Sequence, residues 1–271
     1  MPTLLKDDLD IFYEKTGNGQ PLILVHGSLG DYRDWRNQVS FFSNHGFEAM
    51  TYSRRNHFPN KWRAYPKDYS VKTERDDLFF LLESIEEKRV NLVGHSYGGF
   101  VAALFAVSYP NIVKSLVLAE PPIFTIARVP TKEVIFFIDH IIRPSQQMLQ
   151  SGNAESAIKL FLDGISGMQN VFDHMKPSFK DIILENSKTA LKEIEITPNR
   201  DPFSYNEASR INCPTLILKG QFSPLALQQA ADQLAGAIPN SKISTISNSS
   251  HGMIWENPLE FNLKVLEFLG K

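Results

Sequence analysis

Val90-Asn91-Leu92-Val93-Gly94-His95-Ser96-Tyr97-Gly98-Gly99-Phe100-Val101-Ala102-Ala103-Leu104-Phe105-Ala106 decides the reading of this chain. An apolar run of strand length leads into Gly-x-Ser-x-Gly, and a helical run leads out of it. A strand followed at once by a helix needs a sharp turn, which forces the residue at its tip into a strained backbone conformation. Small residues at 94, 98 and 99 let the two elements approach that closely. The turn lifts Ser96 Oγ over the end of a sheet, with a helix N-terminus beneath it. Ser96 is therefore the candidate nucleophile. The plain alternative is a glycine-rich turn that happens to hold a serine.

Working outward, short β-rich runs alternate with longer helical ones. Ile11–Tyr13, Leu22–Val25, Phe47–Tyr52, Val90–Val93, Leu116–Leu118, Thr215–Leu218 and Lys242–Ile246 read as strands. Helices are expected over 34–44, 72–88, 98–108, 225–236 and 258–269. Unbroken apolar strands alternating with helices predict an α/β fold with a mostly parallel, doubly wound sheet. One interval breaks the alternation. Pro121-Pro122 stops a strand, and no further strand is evident before about Asn212. Val134, Ile135, Phe137, Ile138, Ile141 and Ile142 repeat at helical spacing, and further helices are expected near 153–164 and 178–195. We read residues 1–120 and 209–271 as the core domain and 121–208 as a helical cap. The stretch 197–202 is the expected hinge between them.

The 271 residues suffice for one such domain with an insertion. A net charge of -2 offers no electrostatic case for nucleic acid or an anionic membrane. Cys213 is the single cysteine, which excludes an intrachain disulfide and cysteine metal sites. Its place before Pro214 and an apolar strand suggests a packing role. The first residues, Met1 to Asp8, lack the pattern of a signal peptide, and no apolar run approaches the ~18 residues that a membrane span needs. The expectation is a cytoplasmic protein acting on a small molecule, with no metal or other cofactor. Oligomeric state is left open.

A serine hydroxyl needs a base to take its proton, and the base needs an acid to hold its tautomer and stabilise its cation. Of seven histidines, His251 fits best. It follows the last expected strand, in the polar turn Ser247–Gly252, and precedes the final helix. His95 should turn away from Ser96 and pack under the turn, and His26 should shape its own loop. Together, Val25-His26-Gly27-Ser28, the elbow at 94–98, the Pro214–Gly220 strand and the His251 loop resemble the α/β-hydrolase superfamily over nearly the whole chain. His-Gly-Ser-Leu-Gly-Asp at 26–31 and Ala-Glu-Pro-Pro at 119–122 are similar to the small bacterial esterase and lactonase-type members.

That resemblance implies an acid after the seventh strand in a Gly-x-x-Asp setting, but here the string is Gly220-Gln221-Phe222-Ser223. Serine cannot hold a negative charge. Glu120, at the end of the preceding strand, is the expected substitute. Asp201 and Asp232 are distant fallbacks. The oxyanion formed on attack calls for two backbone donors, the N–H groups of Ser28 and Tyr97. Arg54, Arg55 and His57 follow a strand and could bind a substrate carboxylate, with Arg55 and His57 the candidate binding residues. The alternative is that the arginines are tied up in salt bridges. The cap supplies Ile123, Phe124, Ile126, Phe136, Phe137, Ile141, Met148, Phe161, Met168, Phe172 and Met175, some of which should line an apolar cavity above Ser96. The expected activity is hydrolysis of a carboxylic ester or lactone through an acyl-enzyme. A carbon–carbon hydrolase, thioesterase, lyase, cofactor-free oxygenase or slow-turnover ligand sensor would use the same residues.

Overall fold

The computed structural model of the protein describes residues 3–6, 9–66, 69–127, 129–196 and 203–270. Eight strands form one sheet: β1 (Thr3–Lys6), β2 (Leu9–Thr16), β3 (Gln20–Val25), β4 (Phe47–Tyr52), β5 (Val90–His95), β6 (Val113–Ala119), β7 (Thr215–Gly220) and β8 (Ser241–Ile246), in the order β1-β2-β4-β3-β5-β6-β7-β8. The pairs β1–β2 and β2–β4 are antiparallel, and all the others are parallel. The fold is therefore α/β with a mostly parallel sheet. Strand β1 is an addition to the expected set. Its four residues carry too short an apolar pattern to stand out in the sequence.

The strand residues alternate between two cores, as a period of two dictates. Ile23, Val25, Leu92, Leu116, Leu118 and Ile217 face one core. It is closed by helices α2 (Val71–Ser84), α3 (Tyr97–Ser108) and α10 (Leu225–Ala237). Leu22, Leu24, Val93, Val117, Leu216 and Leu218 face the other, beneath α1 (Arg36–Ser43) and the final helix, α11 (Pro258–Phe268), where Trp35 and Phe261 meet with ring centroids 6.2 Å apart. Fully burying one such side chain contributes roughly 1.5–3 kcal/mol, so these two layers carry most of the fold's stability. Helix α3 is buried over Tyr97–Val107, which explains an apolar run with no polar face. Strand β8 departs from the expected double burial. It pairs only with β7 at the sheet edge and is largely open to solvent.

Between β6 and β7 the described residues form helices and no strand. They are α4 (Lys132–Phe137), a π-helical turn at Ile138–Ile142, α5 (Arg143–Gln150), α6 (Ala154–Ser166), α7 (Val171–His174), α8 (Pro177–Ile196) and α9 (Tyr205–Ala208). Thr131 caps α4, accepting from Val134 N–H, and Asn153 caps α6, accepting from Ser156 N–H. The expected hinge at 197–202 and the fallback Asp201 lie outside the described residues. Among the described residues no helix is long and apolar enough to cross a membrane.

Strand β3 lies between β4 on one side and β5 on the other, and the chain crosses over β3 on its way from β4 to β5. The sheet therefore reverses its winding direction between β3 and β5. In doubly wound sheets ligands bind at the carboxyl ends of the strands flanking such a reversal. Those ends carry His26-Gly27-Ser28 and Ser96.

Candidate active site

Ser96 adopts φ 54° and ψ −127°, outside the regions open to most side chains. Its N–H donates to Ala119 O at 2.8 Å, and its carbonyl accepts from Gly99 and Phe100 at 2.8 and 3.1 Å. The neighbouring glycines make this geometry feasible. A Cβ on Gly94 would stand 2.5 Å from Gly98 O and 2.6 Å from Gly99 Cα, and one on Gly98 would collide with the carbonyl groups of Val25 and His26. Strand β5, helix α3 and the end of β3 thus meet backbone to backbone. The loop after β3 reaches the serine, since a Cβ on Gly27 would lie 3.1 Å from Ser96 Cβ.

Glu120 follows β6 and also has positive φ, 44°, on a residue that normally avoids it. The strain has a return. The fully buried carboxylate accepts from Gly220 N–H through Oε1 at 2.8 Å and meets His251 Nδ1 through Oε2 at 2.8 Å. Because a carboxylate oxygen accepts, Nδ1 carries the proton, and Nε2 is left as the ring atom able to take one. Ser223, at the position usual for the acid, has a buried Oγ with no hydrogen-bond partner. Asp232 is engaged elsewhere, with Lys219 at 2.6 Å on the surface.

The turn that carries His251 is pinned from two sides. Glu256 accepts from Ser250 N–H and Ser250 Oγ at 2.5 and 2.8 Å. His95 Nε2 lies 2.8 Å from His251 O, so that nitrogen carries a proton and donates. The two imidazoles lie 4.9 Å apart between ring centroids. Burial, with the neighbouring His251 acting in the same direction, pushes the His95 pKa down to about 3 and keeps the ring neutral. His95 therefore does more than pack under the turn. It braces the next histidine, a link between positions 156 residues apart that no local pattern carries.

Ser96 and His251 line one cavity of about 600 Å³, together with Gly27, Ser28 and Gly30. The rest of its wall is mostly apolar, with Phe161, Leu162, Ile165, Met168, Val171, Met175, Phe179, Ile182 and Ile183 from above and Trp255 from the side. Three of the cap residues singled out in the sequence, Phe161, Met168 and Met175, are in that wall. Ile123 and Ile126 instead join the core of the sheet, Phe124 and Phe137 pack against α10, and Phe136 is exposed. Asp34 also borders the cavity. Burial, reinforced by Asp31, raises its pKa well above the usual carboxylate range.

The candidate substrate-binding pair Arg55 and His57 is not in this wall. Arg55 forms a two-pronged bond with Asp77 of α2, at 2.8 and 2.7 Å. His57 is fully buried, with Nδ1 donating to Gly30 O at 2.7 Å and Nε2 lying 3.4 Å from Glu193 Oε1. Arg54 is likewise buried on Glu193 and Glu74. The salt-bridge alternative describes both arginines. The carboxylates that neutralise the arginines come from α2 and α8, too far along the chain to be read beside them. No cluster of three metal-ligating side chains occurs among the described residues.

Comparison with known proteins agrees with the geometry. Residues 20–258 match the family model described as alpha/beta hydrolase fold. The chain belongs to this family. The alpha/beta hydrolase is 27% identical to 2-hydroxy-6-oxononadienedioate/2-hydroxy-6-oxononatrienedioate hydrolase of Burkholderia vietnamiensis, over 97% of this chain and 91% of that protein. It is 25% identical to the non-heme chloroperoxidase CPO-A1 of Kitasatospora aureofaciens, over 98% of both. Among solved structures, the esterase EaEST from Exiguobacterium antarcticum superposes with a TM-score of 0.78 at 20% identity, covering 97% of this chain and 96% of that one. These relatives share one fold and have names that denote different activities, so the fold alone does not fix the reaction.

Proposed function

We propose that the protein is a serine hydrolase that cleaves a carboxylic ester or lactone of a small, largely apolar substrate. Ser96 Oγ attacks the carbonyl carbon while His251 Nε2 takes its proton. Glu120 keeps Nδ1 protonated and stabilises the imidazolium that forms. The Ser28 and Tyr97 N–H groups receive the oxyanion. His251 then hands its proton to the leaving alcohol, and the acyl group stays on Ser96. Water enters, loses a proton to His251 and attacks the acyl carbon; the acyl–Oγ bond then breaks, His251 returns that proton to Ser96 Oγ, and the acid leaves.

The observation that carries this reading is the Glu120–His251 contact of 2.8 Å at the rim of the cavity that Ser96 also lines. The mostly apolar wall favours an acyl chain or ring over a dianion. Among the described residues lining it, Lys176 is the one lysine or arginine, and Arg54 and Arg55 are paired with buried carboxylates. A dicarboxylate of the kind processed by the Burkholderia relative would want more positive charge.

Fluorophosphonate labelling followed by a panel of p-nitrophenyl esters and lactones tests the proposal. The expected result is covalent label on Ser96, a burst of nitrophenol and sustained turnover on short or medium acyl chains, all lost in Ser96→Ala. A folded protein that neither labels nor turns over any member of the panel would refute it. Labelling with a single turnover and a ligand-dependent rise in Tm would point to a sensor instead.

A further inference from the structure

A buried charge network lies behind the loop that offers the Ser28 N–H. Arg54, with its side chain wholly out of solvent, donates from Nη2 to Gly27 O at 3.1 Å and from Nε to His26 O at 3.1 Å. Its Nη1 donates to Glu193 Oε1 at 2.6 Å and lies 3.4 Å from Glu74 Oε1. The guanidinium carbon sits 4.9 Å from the centroid of the Tyr97 ring. The backbone N–H of Arg54 donates to His26 Nε2 at 2.9 Å, so the proton of that ring is on Nδ1, which donates to the same Gly27 O at 2.8 Å. Burial alone would disfavour the cation, but Glu193 and Glu74 outweigh it and hold Arg54 protonated.

The carbonyl of Gly27 and the N–H of Ser28 belong to one planar peptide unit. Whatever fixes the carbonyl fixes the direction of the N–H. A cation donating into the carbonyl also polarises the unit and makes its N–H a stronger donor. The far end of the loop is held in a similar way, with His57 on Gly30 O and its other nitrogen facing Glu193. Glu193 belongs to α8, between β6 and β7, whereas the loop belongs to the sheet.

We propose that Arg54 is a positioning residue that orients and polarises the Gly27–Ser28 peptide as an oxyanion donor, and that Glu193 on α8 holds Arg54 in place, linking the seating of that helix to the competence of the site. This rests on the serine-hydrolase reading above. An oxyanion forms only as the carbonyl is attacked, so the contribution belongs in kcat and not in substrate binding.

The test compares Arg54→Lys, Glu193→Gln and Ser96→Ala with wild type on the best p-nitrophenyl ester, with thermal unfolding to establish folding. Lysine keeps the charge but gathers its three donors on one nitrogen, which cannot reproduce the fork from Nε, Nη1 and Nη2 to His26 O, Glu193 and Gly27 O. Loss of an oxyanion donor costs ~10²–10³ in kcat, and a misdirected one should approach the lower figure. Folded Arg54→Lys is expected to lose about 100-fold in kcat with KM within about threefold of wild type. Glu193→Gln retains an acceptor but no charge and should lose several-fold in kcat with KM unchanged. Folded Arg54→Lys with near-wild-type kcat, or with its loss confined to KM, would overturn the proposal. If Arg54→Lys fails to fold, Glu193→Gln decides, and an unchanged kcat there overturns it. Wild-type hydrolysis that survives Ser96→Ala would instead remove the serine-hydrolase reading, and the role of Arg54 with it.

Discussion

Glu120→Gln is the sharpest probe of the site, because the structure dictates how the amide must sit. Oε1 of Glu120 accepts from Gly220 N–H at 2.8 Å, so the glutamine oxygen must stay there to avoid facing one donor with another. The amide NH2 then points at His251 Nδ1, where Oε2 now lies at 2.8 Å. An N–H donor facing Nδ1 selects the tautomer with its proton on Nε2. That nitrogen can no longer accept from Ser96. The fold should be nearly untouched, since the side chains match in shape and the site stays satisfied. Forcing the wrong tautomer in a serine–histidine–acid triad costs ~10⁴ in kcat, which is about 5 kcal/mol of transition-state stabilisation. Steady-state turnover on the best ester, with the rate of fluorophosphonate labelling as a second measure, checks it. A folded Glu120→Gln enzyme within tenfold of wild type would show that Glu120 neither orients nor charges His251.

Three further outcomes follow from the same contacts. Gly94→Ala should give little folded protein, because its methyl would meet Gly98 O at 2.5 Å, and soluble expression with wild-type Tm would contradict that packing. His95 is held neutral by burial, with a pKa of about 3 against roughly 6.5 in the unfolded chain. Below pH ~6.5 the unfolded state takes up a proton that the folded ring refuses, so stability falls as pH drops toward 3, by up to ~1.4 kcal/mol per pH unit. His95→Gln, which can keep an N–H for His251 O, should flatten that acid limb in urea titrations, and an unaltered slope would refute the assignment. Asp34 shows the opposite sign. Its raised folded pKa gives a contribution present below pH ~3.8 and lost as pH rises, so Asp34→Asn should unfold at higher temperature than wild type at pH 8, with the gap closing toward pH 4. Equal Tm values at pH 8 would refute it.

The sheet and the elbow were legible because both are local. Leu22–Val25 and Val90–Val93 declare themselves as buried strands, and the glycines at 94, 98 and 99 declare the turn. The position of His251 was legible from order along the chain. Glu120 emerged from a deficit, a serine where a carboxylate is usual. The partners of Arg55 and His57, Asp77 and Glu193, are 22 and 136 residues away in sequence, so no local pattern separates the salt-bridge reading from the substrate-binding one. The bracing role of His95 was invisible for the same reason. The cavity wall was only partly legible, since helical periodicity says which face of a cap helix is apolar but not whether sheet, neighbouring helix or empty space lies opposite.

In the proposed triad the acid stands at the end of β6 rather than after β7, and the physics is unchanged. An acid beside His251 must reach Nδ1 and be held there by a second hydrogen bond. Glu120 meets both conditions from one strand away. The Gly220 N–H supplies the second bond, and the extra methylene of glutamate spans the distance from β6. The positive φ of Glu120 is the local cost, and it aims the side chain across the end of β7. Ser223, buried and uncharged just after β7, brings no second carboxylate to this end of the sheet.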